Sequence, residues 1–302
     1  MNKNKYIFAS FSKFESIGVR VGGPGLGNLL FPWARAVVLS KKYNIARICS
    51  TWKTIKVGTY LRKERDKRVY ADLFNESGVC RLKKWFILNT FQKIEEKDAL
   101  DFIKSKKRGV VICKGMDDLF NPILQNNKLI KQEIYNMLTS KSMNIVDNYK
   151  GADIAVHIRM GDFQEAPSEE LLRNGSWNYR LPLKWYVSII NKLREETGKN
   201  LEVHIFSDGA DDELLPILKL GNTKRVFLNS AINDMLALGK SKVLIASGST
   251  FSMWGSFLGE NSTVWYPGQM RQKLHDDNIA FEGELDYKDK IPSNLISVLK
   301  SD

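Results

Sequence analysis

The sequence predicts an α/β protein with a parallel sheet in its second half. From residue 153 onward, short apolar runs alternate with segments of helical periodicity, which is typical of parallel strands joined by right-handed crossovers. Three strand–turn–helix junctions also place glycine or polar residues directly after the strand, where the ligand crevice of an open α/β sheet lies. The 302 residues leave room for two domains of ordinary size.

The first junction comprises a predicted strand over residues 17–21, a glycine-rich turn over 22–27 and a helix over 28–42. Glycines between a strand and a helix N-terminus let backbone amides approach an anion closely, although a glycine-rich turn alone is a weak signal for such a site. The turn is neither a dinucleotide fingerprint, since the third glycine is missing, nor a Walker loop, since no Gly-Lys-Ser/Thr follows.

The rest of the first half is less regular. Strands are predicted over 45–49 and 109–113, and a helix with one apolar face over 121–138. The basic and aromatic segment 50–99 has no clear assignment, and it either contacts a substrate or packs beneath long loops. The boundary between the halves falls within 140–151, which gives predicted domains of 1–148 and 149–302.

The second junction begins with the apolar run Ile154–Val156, which is typical of a strand buried on both faces. His157, Arg159 and Asp162 follow at its carboxyl end. Arginine is an always-charged fork suited to phosphate, and Asp162 can hold Arg159 or a backbone amide in place. The alternative is a strand followed by a turn with a surface ion pair.

The third junction follows a regular alternation of elements. The predicted order is a loop over 164–180, helix 183–196, strand 201–207, helix 212–218, strand 225–228, helix 231–239 and strand 242–246. Ser249 and Thr250 then suit the cap of a further helix, and with Ser252 they supply more hydroxyls than a cap needs, which favours a phosphate or sugar site. Asp234 either points into the same crevice or interacts with its own helix terminus.

Charge is unevenly distributed. Residues 1–150 contain 29 basic and 13 acidic residues, whereas the remainder contains 17 basic and 21 acidic. A basic half can meet nucleic acid, an anionic membrane or a phosphorylated substrate, although a solvated basic surface with no specific partner is the more common explanation. Because the lysines are scattered and no nucleic-acid-binding motif accompanies them, no nucleic-acid partner is predicted.

Several protein classes are excluded or disfavoured. No apolar run approaches the roughly 20 residues that span a bilayer, and no signal peptide is recognisable, so we predict a cytoplasmic protein. Cys49, Cys80 and Cys113 lack metal-ligand or disulfide spacing. We therefore expect reduced cysteines that serve packing.

Together, the three junctions resemble the signature blocks of glycosyltransferase family 11, the α-1,2-fucosyltransferases, which are related to α-1,6- and protein O-fucosyltransferases. The matching blocks are Gly23-Pro24-Gly25-Leu26-Gly27-Asn28, His157-Ile158-Arg159-Met160-Gly161-Asp162, Asp234-Met235-Leu236-Ala237-Leu238 and Ser249-Thr250-Phe251-Ser252-Met253-Trp254-Gly255. The sequence departs from the family pattern at Leu29 for Gln, Met160 for a second Arg and Met253 for Trp, and by the inserted Pro24.

The resemblance implies two Rossmann-like domains facing across a cleft, the glycosyltransferase B type, with GDP-fucose held mainly by the second domain and no metal required. Its implied site roles are Arg159 at the diphosphate, His157 and Asp234 near the guanine and ribose, Ser249, Thr250 and Ser252 at phosphate or ribose, and Gly25, Gly27 and Asn28 closing over the diphosphate. Glu165 and Asp162 are the nearest candidate bases, and a base is dispensable if the leaving phosphate takes the proton.

The predicted function is inverting transfer of L-fucose from GDP-fucose to a glycan hydroxyl, with an α-1,2 linkage to galactose of a cell-surface polysaccharide or O-antigen unit. The acceptor is an oligosaccharide or a lipid-linked glycan, and the basic half suits peripheral attachment to the anionic inner face of a membrane. The alternatives are a transferase for another nucleotide sugar and a glycan- or nucleotide-binding protein without turnover.

Overall fold

The computed structural model describes residues 4–12, 15, 20–21, 24–55, 70, 73–276, 278 and 280–301, with the backbone alone at 20–21 and 54–55. The chain divides into two units, Met1–Met143 and Asn144–Asp302. Each unit contains a parallel sheet with helices, so the predicted α/β fold is confirmed.

The first unit contains a four-stranded parallel sheet. The strands of the whole unit are β1 (Lys5–Ser10), β2 (Arg20–Val21), β3 (Ala46–Ile48), β4 (Thr54–Ile55), β5 (Lys93–Glu95) and β6 (Gly109–Lys114). Its helices are α1 (Leu26–Tyr43), α2 (Arg81–Thr90), α3 (Ala99–Lys104), α4 (Asn127–Met137) and α5 (Ser140–Asn148), the last of which runs across the division. The sheet order is β3-β1-β6-β5, and β2 pairs separately with β4.

The second unit contains a six-stranded parallel sheet. The strands of the whole unit are β7 (Ile154–Ile158), β8 (Gln164–Glu165), β9 (Tyr179–Arg180), β10 (Val203–Ser207), β11 (Thr223–Arg225), β12 (Val243–Ile245), β13 (Ser262–Trp265) and β14 (Glu282–Glu284). Its helices are α6 (Glu169–Arg173), α7 (Leu183–Thr197), α8 (Leu215–Leu218), α9 (Ala231–Leu238), α10 (Thr250–Gly259) and α11 (Ser293–Lys300). The sheet order is β11-β10-β7-β12-β13-β14, and β8 pairs separately with β9.

The strand order of the second sheet determines where a ligand can bind. Counted along the chain, its six strands follow the order 3-2-1-4-5-6 of doubly wound nucleotide-binding folds. The order reverses between β7 and β12, which pair directly, with Val156 opposite Ile245. Because crevices form at such reversals, outside the carboxyl ends of the strands, this junction is the expected ligand site of the unit.

The core of the second unit fixes which side chains face that junction. Ile154, Val156 and Ile158 are buried in one apolar cluster with Trp185 of α7. Because successive side chains in a strand point to opposite faces, His157 points to the other face. Each fully buried aliphatic side chain contributes about 1.5–3 kcal/mol, so the register of β7 is strongly specified.

Several predicted elements differ from those observed. The helix predicted over 121–138 begins at Asn127, because the chain before it forms tighter turns in which Ile123 N donates to Phe120 O and Asn126 N donates to Ile123 O, both at 2.8 Å. The segment 50–99 contains α2 and β5, and the loop 164–180 contains β8, α6 and β9. Of the strand predicted over 17–21, only Arg20–Val21 lies within the described residues, while Gly22 and Gly23 lie outside them.

The prediction that all three cysteines are unpaired is wrong. Cys49 and Cys80 form a disulfide with a Cα–Cα distance of 5.2 Å, and Cys113 is free and buried. The residue after β3 meets the N-terminus of α2 because Ile48 bridges Val79 in a parallel pairing. A spacing of 31 residues therefore gives no local signal for a contact that the tertiary fold creates.

Candidate active site

A buried hydroxyl–imidazole network lies where β7 and β12 end. Ser247 Oγ lies 2.9 Å from His157 Nδ1, 2.9 Å from Ser249 Oγ and 2.9 Å from Ser252 Oγ. Ser252 Oγ is also 2.7 Å from His157 Nδ1 and accepts a hydrogen bond of 3.0 Å from Ser247 N. Ser249 caps α10 by accepting from Ser252 N at 3.3 Å. The network ties the central strand to the helix that follows β12.

His157 is uncharged at neutral pH in this environment. Its side chain is buried and stacks on Phe251, with ring centroids 4.8 Å apart. Burial lowers the pKa of His157 to about 3, and the nearby Asp208 carboxylate only partly opposes this. A neutral imidazole offers one donor and one acceptor, so His157 can orient a ligand without adding charge.

Arg159 is the cationic group at this strand end. Its guanidinium forms ion pairs with Asp208 and Asp162 and lies 5.4 Å from the ring centroid of Phe163. The Arg159 side chain remains 22% exposed. Two carboxylates therefore hold the guanidinium in one orientation while part of it faces solvent.

Asp208 organises the turn that follows Arg159. Its Oδ1 accepts hydrogen bonds from Met160 N at 2.8 Å and from Gly161 N at 3.2 Å. A Cβ at Gly161 would collide with the Asp208 carboxylate, and a Cβ at Gly209 would lie 2.7 Å from Met160 Cγ. Sequence reasoning did not select Asp208 for the site, although it follows β10 in a Ser-Asp-Gly turn.

Asp234 lies on α9 and holds the loop that precedes this helix. Its Oδ1 accepts from Leu228 N at 2.7 Å, and Ser230 caps the helix by accepting from Asn233 N at 3.3 Å. Asn233 is buried and donates to Leu228 O at 2.8 Å. Asp234 therefore interacts with both its own helix region and the chain that leaves β11.

Three predicted residues lie in the first unit, at the start of α1. Asn28 N and Leu29 N donate to Gly25 O at 3.2 and 3.3 Å, and Leu26 N donates to the Tyr70 hydroxyl at 3.0 Å. A Cβ added at Gly25 would meet nothing within 4 Å, so this turn borders open space. Gly27 is buried within the helix.

The two candidate bases differ in their surroundings. Asp162 is paired with Arg159, whereas the exposed carboxylate of Glu165 has no hydrogen-bond or ion-pair partner in the part of the chain that the structure describes. Glu165 lines a cavity of about 450 Å³. The other residues lining this cavity are Met160, Ala166, Glu169, Leu172, Arg180, Leu181, Pro182, Leu183 and Glu213.

Arg180 ties this cavity to the turn after Arg159. Its Nε donates to Met160 O at 3.1 Å and to Phe163 O at 2.8 Å, and its Nη1 pairs with Glu213 at 2.9 Å. The Met160 side chain is buried and faces the cavity, and Met253 is buried within α10. No local pattern in the sequence indicates Arg180 or Glu213, because only the tertiary fold brings these two residues together.

Within the described ranges, no cluster of three or more His, Cys, Asp or Glu side chains has the arrangement of a metal site. Among the helices of the same residues, none is both long and apolar enough to cross a bilayer.

The sequence profile of glycosyl transferase family 11 matches residues 118–281. A comparison with curated protein sequences found no match.

Among solved structures, the chain is similar to the NodZ alpha-1,6-fucosyltransferase co-crystallized with GDP, with 14% identity and a TM-score of 0.50 over 85% of this chain and 93% of that chain. The same enzyme soaked with GDP-fucose gives 13% identity and a TM-score of 0.50, with 85% and 93% covered. The selenomethionine form of NodZ from Bradyrhizobium gives 13% identity and 0.50, with 85% and 92% covered. At sequence identities this low, the similarity shows a common fold and nothing further.

Proposed function

The chain belongs to glycosyl transferase family 11, and on this premise we propose that it is an inverting fucosyltransferase that uses GDP-fucose and no metal ion. The observation that carries the proposal is the position of Arg159 at the strand-order reversal between β7 and β12, with its guanidinium oriented by Asp208 and Asp162. A fixed cation at this point suits a leaving group that gains negative charge.

The donor proposal is supported by the surroundings of Arg159 and by the related fold. NodZ was crystallised with GDP and soaked with GDP-fucose. In this chain the diphosphate would contact Arg159, and the nucleoside would lie toward His157 and Asp234. Ser249 and Thr250 begin α10, whose N-terminus favours a phosphate oxygen, while Ser252 supports the site through the buried network.

The proposed reaction is a single displacement. The acceptor oxygen bonds to the anomeric carbon of fucose as the bond from that carbon to the β-phosphate oxygen breaks, and GDP leaves with the electron pair. Glu165 takes the hydroxyl proton, since its carboxylate has no partner among the described residues. Asp162 is the weaker candidate because Arg159 already engages it.

The cavity beside Glu165 suits an acceptor sugar. Its volume of about 450 Å³ lies within the range of about 300–1,000 Å³ for small-molecule sites. Three carboxylates and one guanidinium line it, so it disfavours a diphosphate and offers acceptors to sugar hydroxyls. We place galactose of a surface polysaccharide or O-antigen unit here, with fucose joined through an α-1,2 linkage.

The departures from the family pattern bear on the alternatives. Met160 faces the acceptor-side cavity, and Met253 is buried in α10, so neither replacement removes a group that holds Arg159. This arrangement favours a changed acceptor preference over a different nucleotide-sugar donor. The transfer assay below distinguishes this enzyme from a binding protein without turnover.

We also propose a cellular location for the protein. An oligosaccharide or lipid-linked glycan acceptor and the basic first half suit a cytoplasmic protein held at the inner face of a membrane. The Cys49–Cys80 disulfide argues against the cytoplasmic part of this proposal, because disulfides are rare in reducing compartments, and it leaves the attachment to a membrane unaffected.

The experiment is an assay of purified protein with GDP-fucose and galactose-terminated oligosaccharides, with and without chelator. We expect GDP release that depends on the acceptor, survives chelator and yields an inverted anomeric configuration by NMR. Transfer from UDP- or GDP-linked sugars other than fucose, or no transfer with any acceptor while GDP-fucose binds, would contradict the proposal.

A further inference from the structure

Helix α2 exposes three large apolar side chains on one face. Leu82 is 85%, Trp85 50% and Phe86 53% exposed. Their spacing of three and four residues places them together on the helix surface. We call this set the α2 face.

The core of the first unit does not use the α2 face. The opposite side of the helix is buried, and Ile87 and Leu88 pack with Phe8 and Val110 in an apolar cluster. The helix is therefore anchored by one side and presents a second apolar side to solvent. Contiguous exposed apolar groups of this kind mark a surface that a partner or a membrane covers.

Basic residues surround the α2 face. Residues 81–93 contain four basic and no acidic residues, as do residues 104–108. The two segments meet in the fold, because Phe91 contacts Phe86 with ring centroids 6.4 Å apart and the Arg108 guanidinium lies 5.5 Å from the Phe91 centroid. Arg81, Lys83, Lys106 and Lys107 are exposed around this contact, whereas Lys84 is buried.

We propose that the α2 face docks on a membrane surface that contains anionic lipids. Tryptophan, phenylalanine and leucine insert at the boundary between headgroups and acyl chains, and surrounding lysine and arginine bind lipid phosphates. The small apolar centre, beside two segments that contain basic but no acidic residues, matches this surface in both polarity and charge. The α2 face specifies the surface for the membrane attachment proposed above, and its docking is independent of the fucosyltransferase activity.

Charge favours a lipid surface over a second copy of the chain. A two-fold interface would bring the same basic rim against itself, and the like charges would repel each other. An anionic bilayer instead supplies the opposite charge over the whole rim. Because association combines insertion with attraction, salt should weaken it without abolishing it.

The test is sedimentation of the full-length protein with vesicles of phosphatidylcholine alone and of phosphatidylcholine mixed with phosphatidylglycerol. The triple variant Leu82→Ser/Trp85→Ser/Phe86→Ser should bind mixed vesicles at least about tenfold more weakly than the wild type. Leu100→Ser is the matched control, since Leu100 is 51% exposed in the same unit on α3, and it should change binding less than about twofold.

A second variant tests the charge contribution. Lys83→Glu/Lys106→Glu/Lys107→Glu should lose at least about fivefold in binding per lysine and most of the preference for mixed vesicles. Equal thermal unfolding of all variants verifies that the fold is retained.

Three results would overturn the proposal. The first is that the wild type remains in the supernatant with mixed vesicles. The second is that the apolar triple variant sediments as well as the wild type. The third is that the wild type does not bind vesicles but forms a dimer on size-exclusion chromatography that the triple variant does not form, which would assign the α2 face to self-association.

Discussion

Replacing Arg159 by alanine tests the electrostatic basis of the proposed reaction. In the structure the guanidinium is held by Asp208 and Asp162 and stays partly exposed. The substitution removes the cation and leaves both carboxylates near the proposed diphosphate position. Removing a group that stabilises developing charge typically lowers kcat by about 10²–10³, or roughly 2.7–4 kcal/mol.

The effect on folding should be much smaller. Partly exposed ion pairs contribute about 0–1 kcal/mol each, so loss of both pairs costs at most about 2 kcal/mol of unfolding free energy. Arg173→Ala is a matched control, since Arg173 pairs with Asp286 and Glu169 at 34% exposure. We expect the control to lose a similar amount of stability and less than about fivefold in kcat.

The assay is GDP release at saturating GDP-fucose and acceptor, together with thermal unfolding of each variant. Arg159→Lys should recover only part of kcat, because lysine keeps the charge and lacks the planar fork. If Arg159→Ala retained more than about one third of wild-type kcat, Arg159 would not stabilise the leaving group and the reasoning would be refuted.

Three further predictions follow from the same structure. Glu165→Gln should lower kcat by about 10²–10⁴ while the Kd for GDP stays unchanged, and a changed Kd would place Glu165 at the donor instead. Burial lowers the pKa of His157 to about 3 in the folded state, whereas the unfolded side chain titrates near about 6.5. Between these two values the unfolded state binds more protons than the folded state. The stability that His157 contributes is therefore complete above about pH 6.5 and is lost as the pH falls toward 3. When the pH falls from 7.5 to 5, the free energy of unfolding measured in urea should decrease by about 1–2 kcal/mol more for the wild type than for His157→Asn. Equal decreases in the two proteins would contradict the buried neutral imidazole. Reductant should lower the free energy of unfolding by about 2–4 kcal/mol through Cys49–Cys80 and leave Cys80→Ser unaffected, whereas an equal response of both would argue against the disulfide.

The second-unit fold was well predicted because its strands are local signals. Continuous apolar runs bounded by turn residues identified β7 and β12 to within a few residues. The same junctions carried the resemblance to family 11, which the profile match confirms. Apolar periodicity likewise located α7, because one side of that helix is buried in the core.

The contacts within the site were less predictable because they depend on strand order. Asp208 meets Arg159 only because β10 lies beside β7, with Ser207 opposite Ile158. Ser247 connects three side chains from two elements, and no local pattern indicates that role. The roles of the predicted residues toward a donor and acceptor stay predictions.

Helix α2 and the disulfide were missed for different physical reasons. Apolar residues on both sides of α2 obscure the helical periodicity, since Leu82 and Trp85 are exposed while Ile87 and Leu88 are buried. The disulfide joins segments that are brought together by pairing next to β3. Both features arise from tertiary packing that a local reading of the sequence does not contain.

The measurement that tests the central claim most directly is calorimetric titration of the purified chain with GDP, GDP-fucose, GDP-mannose and UDP, with and without chelator. We predict that GDP and GDP-fucose bind, that chelator does not change their affinity, and that Arg159→Ala weakens both by at least about tenfold. Tighter binding of UDP, or no nucleotide binding by the wild type, would contradict the assignment of the β7–β12 junction as a GDP-fucose site.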